Sequence, residues 1–236
     1  MEIHGFQKTT LLDYPGHLAC TIFLGGCNFR CPFCHNASLV LTPSALPAIP
    51  EEEVFRTLKK RTGILEGVCI TGGEPTLYPG LTKFIKQIKE LGFLIKLDTN
   101  GNNPHIIKEL IKDGCLDYIA MDIKNSKAKY GLSNGLSNGL PAFDTRRVEE
   151  SVAYLLTAPV DYEFRTTVVA KHHSPEDMIE IGKWIEGAKA YYLQPYKDSG
   201  DIIGKGLSGP SRSDLYLYKD ILLPFVPNVQ VRGMDS

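Results

Sequence analysis

No stretch of the chain stays apolar for the roughly 20 residues that a bilayer-spanning helix needs. Neither sign of charge is in surplus. Twenty-six lysines and arginines stand against 27 aspartates and glutamates, a formal net charge of −1, whereas a protein that grips nucleic acid by its phosphates needs an excess of bases. The opening residues, Met1 to Gly5, lack the basic-then-apolar pattern of a secretory leader. Also missing is a Pro/Ser-rich linker, so residues 1–236 are expected to form one domain. A hydrophobic share of 43% against 22% charged residues is too apolar for a disordered chain. These absences predict a cytoplasmic, folded protein that takes neither a membrane nor a nucleic acid as partner.

Six cysteines are present, at positions 20, 27, 31, 34, 69 and 115. Without an export signal, and with length enough to bury a core, the chain has no need of disulfide staples. Three of the six fall within eight residues, at 27, 31 and 34, which points to metal. Cys20, Cys69 and Cys115 stand apart and read as buried core thiols.

Strand-like and helix-like segments alternate along the chain. Strands are expected over His17–Leu24, Gly67–Thr71, Phe93–Asp98, Leu116–Asp122, Tyr162–Val169 and Ala190–Gln194. Helices are expected from Pro50 to about Arg61, from Pro79 to Gly92, over Pro104–Lys112, after Asp144, from Ser174 and from Ser213 to about Leu222. Residues 125–143 contain the repeated Leu-Ser-Asn-Gly of Gly131 to Leu140 and are expected to be a flexible surface loop. Six strand–helix units imply parallel strands with right-handed crossovers. Eight units would close a barrel, so the expected fold is α/β, an open, parallel (β/α)6 partial barrel. Functional residues then belong at the C-terminal ends of the strands. Cys27, Gly72-Gly73-Glu74, Asp98-Thr99, Asp122 and Gln194 all fall there.

The segment Cys27-Asn28-Phe29-Arg30-Cys31-Pro32-Phe33-Cys34-His35-Asn36 has the spacing C-x3-C-x2-C. Soft thiolates select zinc, copper(I) or iron–sulfur clusters. A structural zinc would want a fourth ligand, which His35 could supply. An electron-transfer [4Fe–4S] cluster would want a fourth cysteine. Three cysteines alone can hold three irons of a cubane and leave the fourth open to a ligand.

This spacing, with Phe33 just before the third cysteine, resembles the signature of the radical S-adenosylmethionine (SAM) superfamily. Gly72-Gly73-Glu74-Pro75 resembles that family's GGE motif. The likeness extends further, toward the activating enzymes of glycyl radical enzymes. Gly5 to Gly16 (GFQKTTLLDYPG), Cys34-His35-Asn36, Asp98-Thr99-Asn100-Gly101 and Asp122-Ile123-Lys124 are all similar to stretches of that group. Length and motifs are most similar to the activating proteins of anaerobic ribonucleoside-triphosphate reductase.

The resemblance implies a [4Fe–4S] cluster on Cys27, Cys31 and Cys34, with SAM bound to its open iron. Reductive cleavage of SAM would give a 5′-deoxyadenosyl radical, which abstracts hydrogen from a glycine of the partner protein. The expected partner is anaerobic ribonucleoside-triphosphate reductase, with an electron donor such as flavodoxin. The alternatives are another glycyl radical enzyme of the pyruvate formate-lyase type, a small-molecule substrate, or a non-enzymatic zinc module.

By the same resemblance Phe33 packs near adenine and His35 lies beside the cofactor. Gly72, Gly73 and Glu74 take the methionyl ammonium, and Lys124 meets the carboxylate or ribose, with Asp122 beside it. Asp98 and Asp122 are candidates for a monovalent cation. Arg165, a charge in an apolar strand, is costly to bury unpaired and would find a partner in the SAM carboxylate. Gln194 ends the last strand, where the family contacts cofactor. Asn28 and Arg30 are expected to brace the cysteine loop. His172-His173 reads as surface, and Lys59-Lys60-Arg61 as a solvated helix end.

Overall fold

The computed structural model describes residues 1–136 and 143–234. Its strands are β1 (Ile3–Thr10), β2 (Ala19–Leu24), β3 (Gly67–Gly72), β4 (Leu94–Thr99), β5 (Tyr118–Asp122), β6 (Asp161–Val168), β7 (Tyr191–Pro195) and β8 (Val229–Val231). The helices are α1 (Ala37–Leu41), α2 (Glu51–Lys60), α3 (Leu81–Lys89), α4 (Pro104–Lys112), α5 (Tyr130–Asn134), α6 (Arg146–Thr157), α7 (Pro175–Trp184) and α8 (Arg212–Leu222). All strands join one open sheet in the order β1 to β8. From β2 to β8 every neighbour is parallel, and only β1 runs antiparallel, against β2.

The six expected strand–helix units are β2 to β7 with their crossovers. Two edge strands flank them. β1 was not expected as a strand because its half-exposed residues show no apolar alternation. β8 is only three residues long. No helix among the described residues is long and apolar enough to cross a membrane.

The side-chain parity of a strand sorts the residues into two faces. Ile22, Leu24, Val68, Ile70, Ile95, Leu97, Ile119, Met121 and Phe164 are fully buried and form the core with the helices. α3 contributes Leu81, Phe84, Ile85 and Ile88 from one face, each worth about 1.5–3 kcal/mol when fully buried. Cys20, Cys69 and Cys115 are buried and unpaired. The alternate residues turn to the other face, where polar groups collect beside a few apolar ones: Thr21, Thr71, Lys96, Asp98, Tyr118, Asp122, Glu163 and Arg165. Ion pairs fill this interior where a closed barrel would pack hydrocarbon.

At the N-terminal end of the strands the interior is closed by Tyr14, which is 2% exposed. Its ring lies 6.0 Å from that of Tyr118. A Cβ on Gly67 would come within 2.7 Å of it. The preceding Asp13 accepts a hydrogen bond from Thr21 Oγ1 at 2.5 Å. Within the Leu-Asp-Tyr-Pro-Gly segment of the N-terminal motif, Tyr14 thus plugs the sheet on the end away from the cysteines, while Leu12 is exposed.

Residues 125–136 differ from the expected loop. Lys127–Lys129 form a 3-10 turn that leads into α5. Tyr130, Ser133 and Asn134 are fully buried, and Asn125 Nδ2 donates to Ser133 Oγ at 2.9 Å. The rest of the Leu-Ser-Asn-Gly repeat, residues 137–142, lies outside the described residues.

Candidate active site

The C-terminal strand ends surround a cavity of about 570 Å³. Cys27, Cys31, Cys34, Phe33 and His35 line one side; Asp98, Asp122, Lys124, Arg165 and Gln194 line the other, with Gly72 and Gly73 between. Of the expected site residues only Glu74 is absent from this wall.

The cysteine loop leaves β2 at Leu24 and is held by backbone and side-chain hydrogen bonds. Phe29 N–H donates to Cys27 Sγ at 3.3 Å. Arg30 donates to the carbonyls of Cys27 and Phe29 at 2.6 and 2.7 Å, and Asn28 Oδ1 accepts from Asn100 Nδ2 at 2.7 Å. These are the bracing roles expected of Asn28 and Arg30. Asn100 Nδ2 also lies 3.8 Å from Cys27 Sγ, so the Thr-Asn-Gly turn after β4 supports the first cysteine. Asn36 Nδ2 bonds to the Gly72 carbonyl at 3.0 Å and ties the end of the loop to β3.

Burial pushes the Cys27 thiol up to about 11 and Cys31 to about 12, and raises Cys34 as well. Such thiols become thiolates only when a bound cation replaces their protons. Among the described residues no three His, Cys, Asp or Glu side chains close on a point as ligands of one metal ion. Cys27, Cys31 and Cys34 all line the one cavity. His35 stays largely exposed, edge-on to Tyr196 with ring centroids 5.7 Å apart. Phe33 is buried against His172 at 6.4 Å.

The two glycines serve the loop as directly as any ligand. A Cβ on Gly73 would sit 1.8 Å from the Gly26 carbonyl oxygen, and one on Gly72 would sit 2.4 Å from that of Leu24. Gly73 N–H bonds to Leu24 O, and Glu74 N–H to Gly26 O, each at 2.8 Å. Glu74 itself turns inward and is 1% exposed. Its carboxylate accepts from Thr76 N and Oγ1, Thr99 Oγ1 and Asn100 N at 2.5–3.1 Å. Burial raises its carboxyl against these four bonds. The side chain joins β3 to the turn after β4.

The opposite wall is a chain of charges. Arg165 donates to Asp122 Oδ1 at 3.0 Å and to Asp98 Oδ2 at 3.3 Å. Lys124 donates to Asp122 Oδ2 at 2.9 Å. Lys96 bonds to Asp98 Oδ1 and lies 3.8 Å from Cys69 Sγ. Burial alone would raise Asp122, but Arg165 and then Lys124 hold it at about 2. Asp98 is likewise lowered by Arg165 and Lys96 against its burial. Burial alone would lower Lys124, and Asp122 lifts it well above the ordinary lysine value.

His173, expected at the surface, is 4% exposed. Its ring nitrogens meet the Lys124 carbonyl at 3.0 Å and Val169 N at 3.1 Å, so it fixes the backbone behind Lys124. Arg61, expected in a solvated helix end, donates to Lys8 O and Thr9 Oγ1 and fastens β1 to α2. Lys197, Ser199, Thr167 and Arg232 also line the cavity and were not expected there. Lys96 was missed too, although a lysine inside Phe-Leu-Ile-Lys-Leu-Asp carries the same sign as Arg165, a charge within an apolar strand.

Comparison with known proteins agrees with this geometry. The chain is 31% identical to a Methanocaldococcus jannaschii protein assigned by name to the glycyl-radical enzyme activating enzymes, over 99% of this chain and 97% of that one. It is also 31% identical to the pyruvate formate-lyase-activating enzyme of Clostridium pasteurianum, over 52% of each chain. Among solved structures, a radical SAM methyltransferase from Sphaerobacter thermophilus shares the fold at a TM-score of 0.70 and 17% identity, over 93% of this chain and 67% of that one. The model of the radical SAM superfamily matches residues 21–185, a span that holds the three-cysteine loop and the cavity wall from β3 to β6, and the chain belongs to that superfamily.

Proposed function

We propose that this protein activates a glycyl radical enzyme, with anaerobic ribonucleoside-triphosphate reductase as the partner. Family membership implies a [4Fe–4S] cluster and SAM. When bound, that pair supplies, on one-electron reduction by a donor such as flavodoxin, a carbon-centred deoxyadenosyl radical able to take hydrogen from a glycine Cα.

The observation that carries the reading is the set of three cysteines, without a fourth protein thiol, facing a wall of paired cations and carboxylates across one cavity. Cys27, Cys31 and Cys34 would hold three irons. Lys124 and Arg165 offer positive charge to an amino-acid carboxylate. The Gly72–Gly73 backbone offers acceptors to an ammonium. Phe33 and His35 supply ring faces beside them, and Gln194 a polar strand end. The residues hold and orient the cofactors; no side chain is needed as a general base, because the abstracting species derives from the cofactor. The full-length relative supports the activating role. The similarity to the pyruvate formate-lyase-activating enzyme favours, as second reading, a partner of that type.

The test is anaerobic reconstitution followed by incubation with SAM, a reductant and each candidate partner. About four irons per chain, deoxyadenosine release and a glycyl radical signal in electron paramagnetic resonance on the reductase support the proposal. A signal only on a pyruvate formate-lyase-type enzyme moves it to the second reading. Cys31→Ala is expected to abolish SAM cleavage, and colourless protein with one zinc sinks the reading altogether.

A further inference from the structure

The two aspartates at the strand ends are where the family resemblance places a monovalent cation. All four of their carboxylate oxygens are already bonded to side-chain cations of this chain. Asp98 Oδ1 meets Lys96, and Asp98 Oδ2 meets Arg165 at 3.3 Å and Thr71 Oγ1 at 3.2 Å. Asp122 Oδ1 meets Arg165 at 3.0 Å and Asp122 Oδ2 meets Lys124 at 2.9 Å. Three cations therefore face two carboxylates, a surplus of one positive charge. An added alkali ion would meet that surplus in a buried place where repulsion is poorly screened. Arg165 spans from one aspartate to the other. Lys96, 2% exposed, reaches Asp98 from the layer of the sheet beneath, next to Cys69. The residues present do not fit a further cation.

We propose that this protein carries its own counter-ion in place of an alkali-metal ion, with the Lys96 ammonium as the built-in cation of the Asp98 carboxylate. Lys96 does not line the cavity, so it acts through Asp98 and Arg165 as a positioning residue: it fixes Asp98, which in turn fixes the guanidinium that lines the cavity. The inference concerns the same site as the proposed function but is independent of which protein is the partner.

The experiment measures SAM affinity and thermal midpoint of the reconstituted holoenzyme in KCl, NaCl and choline chloride at equal ionic strength. The wild type is expected to give the same values in all three. Lys96→Met, similar in length and uncharged, is expected to bind SAM about tenfold more weakly in choline, the loss of about one charge-assisted bond. In KCl it is expected to regain most of that affinity together with a higher thermal midpoint. If Lys96→Met does not accumulate as folded protein, its refolding yield in KCl against choline chloride reads the same difference. A wild type whose SAM affinity rises several-fold with K⁺ overturns the proposal. So does a Lys96→Met variant that responds to K⁺ no more than the wild type does. Failure of the activating reaction with every partner, with the cation pattern intact, would count against the proposed function alone.

Discussion

At the scale of single residues, the cysteine thiols make the sharpest statement. Burial raises Cys27 to about 11 and Cys31 to about 12 from an ordinary 9.0. Near neutral pH the loop without its cluster therefore holds its protons, and loading must expel them. Assembly at pH 7.5 in weak buffer is expected to release about three protons per chain, one for each ligating thiol, beyond those that hydrosulfide gives up on entering the cluster, read with a pH indicator. The linkage to stability has a definite sign. A group whose folded pKa lies above its unfolded one stabilises fully below the unfolded value, and that contribution is lost as pH rises through the folded value. The cluster-free protein is thus expected to lose more stability to urea between about pH 9 and pH 12 than the loaded protein, in which these loop thiols no longer titrate and only the other buried cysteines do. A cluster-free form equally stable across that window would show that the thiols are not buried as described. The spacing of Cys27, Cys31 and Cys34 was legible because ligand chemistry is written in residue type and separation. The inward turn of Glu74 and the burial of His173 were not, because each depends on which distant donor or carbonyl the fold brings near.

At the scale of elements, alternation of apolar runs and amphipathic helices predicted six strand–helix units because parallel strands covered by helices have no polar edge to blur the pattern. α5 escaped this logic. Its Gly, Ser and Asn favour turns by local hydrogen bonding, and tertiary contacts override that preference. Tyr130 stacks on Phe143 at 5.7 Å and meets Phe29 edge-on at 6.4 Å, while Asn134 O accepts Arg30 N–H at 2.8 Å. The cysteine loop is thereby clasped between Cys27 and Cys31. Gly135 ends α5 with φ +76°, and a Cβ there would lie 1.9 Å from the Arg30 carbonyl oxygen. Gly135→Ala is expected to push Arg30 away, lowering iron retention after reconstitution and altering the cluster's paramagnetic resonance spectrum. Gly92→Ala is the matched comparison, since Gly92 has φ +89° with nothing within 4 Å. Both variants bear left-handed strain of about 1–2 kcal/mol, and only the first is expected to change the iron. If the two behave alike, α5 does not position the loop.

At the scale of the whole molecule, the sheet is open along its edges and at the end where its strands finish, and closed at the other end. Tyr14 seals that second end against Tyr118 and Gly67. The closure explains why the segment Leu12-Asp13-Tyr14-Pro15-Gly16 sits so far from the cysteines in the fold while being part of the same resemblance. Its motif was visible in the sequence, but its place was not, because nothing local tells an N-terminal stretch which mouth of the sheet it will cover. A hydrogen-abstracting site has to be shut to small reductants, whose thiol hydrogens would quench it before a glycine could. On the proposed function a partner's glycine segment would cover the near end, which leaves the far end to be sealed by the chain itself. Tyr14→Ala is expected to cost about 3–5 kcal/mol of stability, as for other large aromatic truncations, and Tyr14→Phe much less. In the activating reaction run with a thiol reductant, Tyr14→Ala should release more deoxyadenosine per glycyl radical formed than the wild type, with Tyr14→Phe at the wild-type ratio. Both quantities come from one reaction, chromatography giving the nucleoside and spin counting the radical. Comparison at a temperature where both variants are fully folded separates leakage from unfolding. An unchanged ratio in folded Tyr14→Ala would mean that the plug supports the sheet without guarding the chemistry above it.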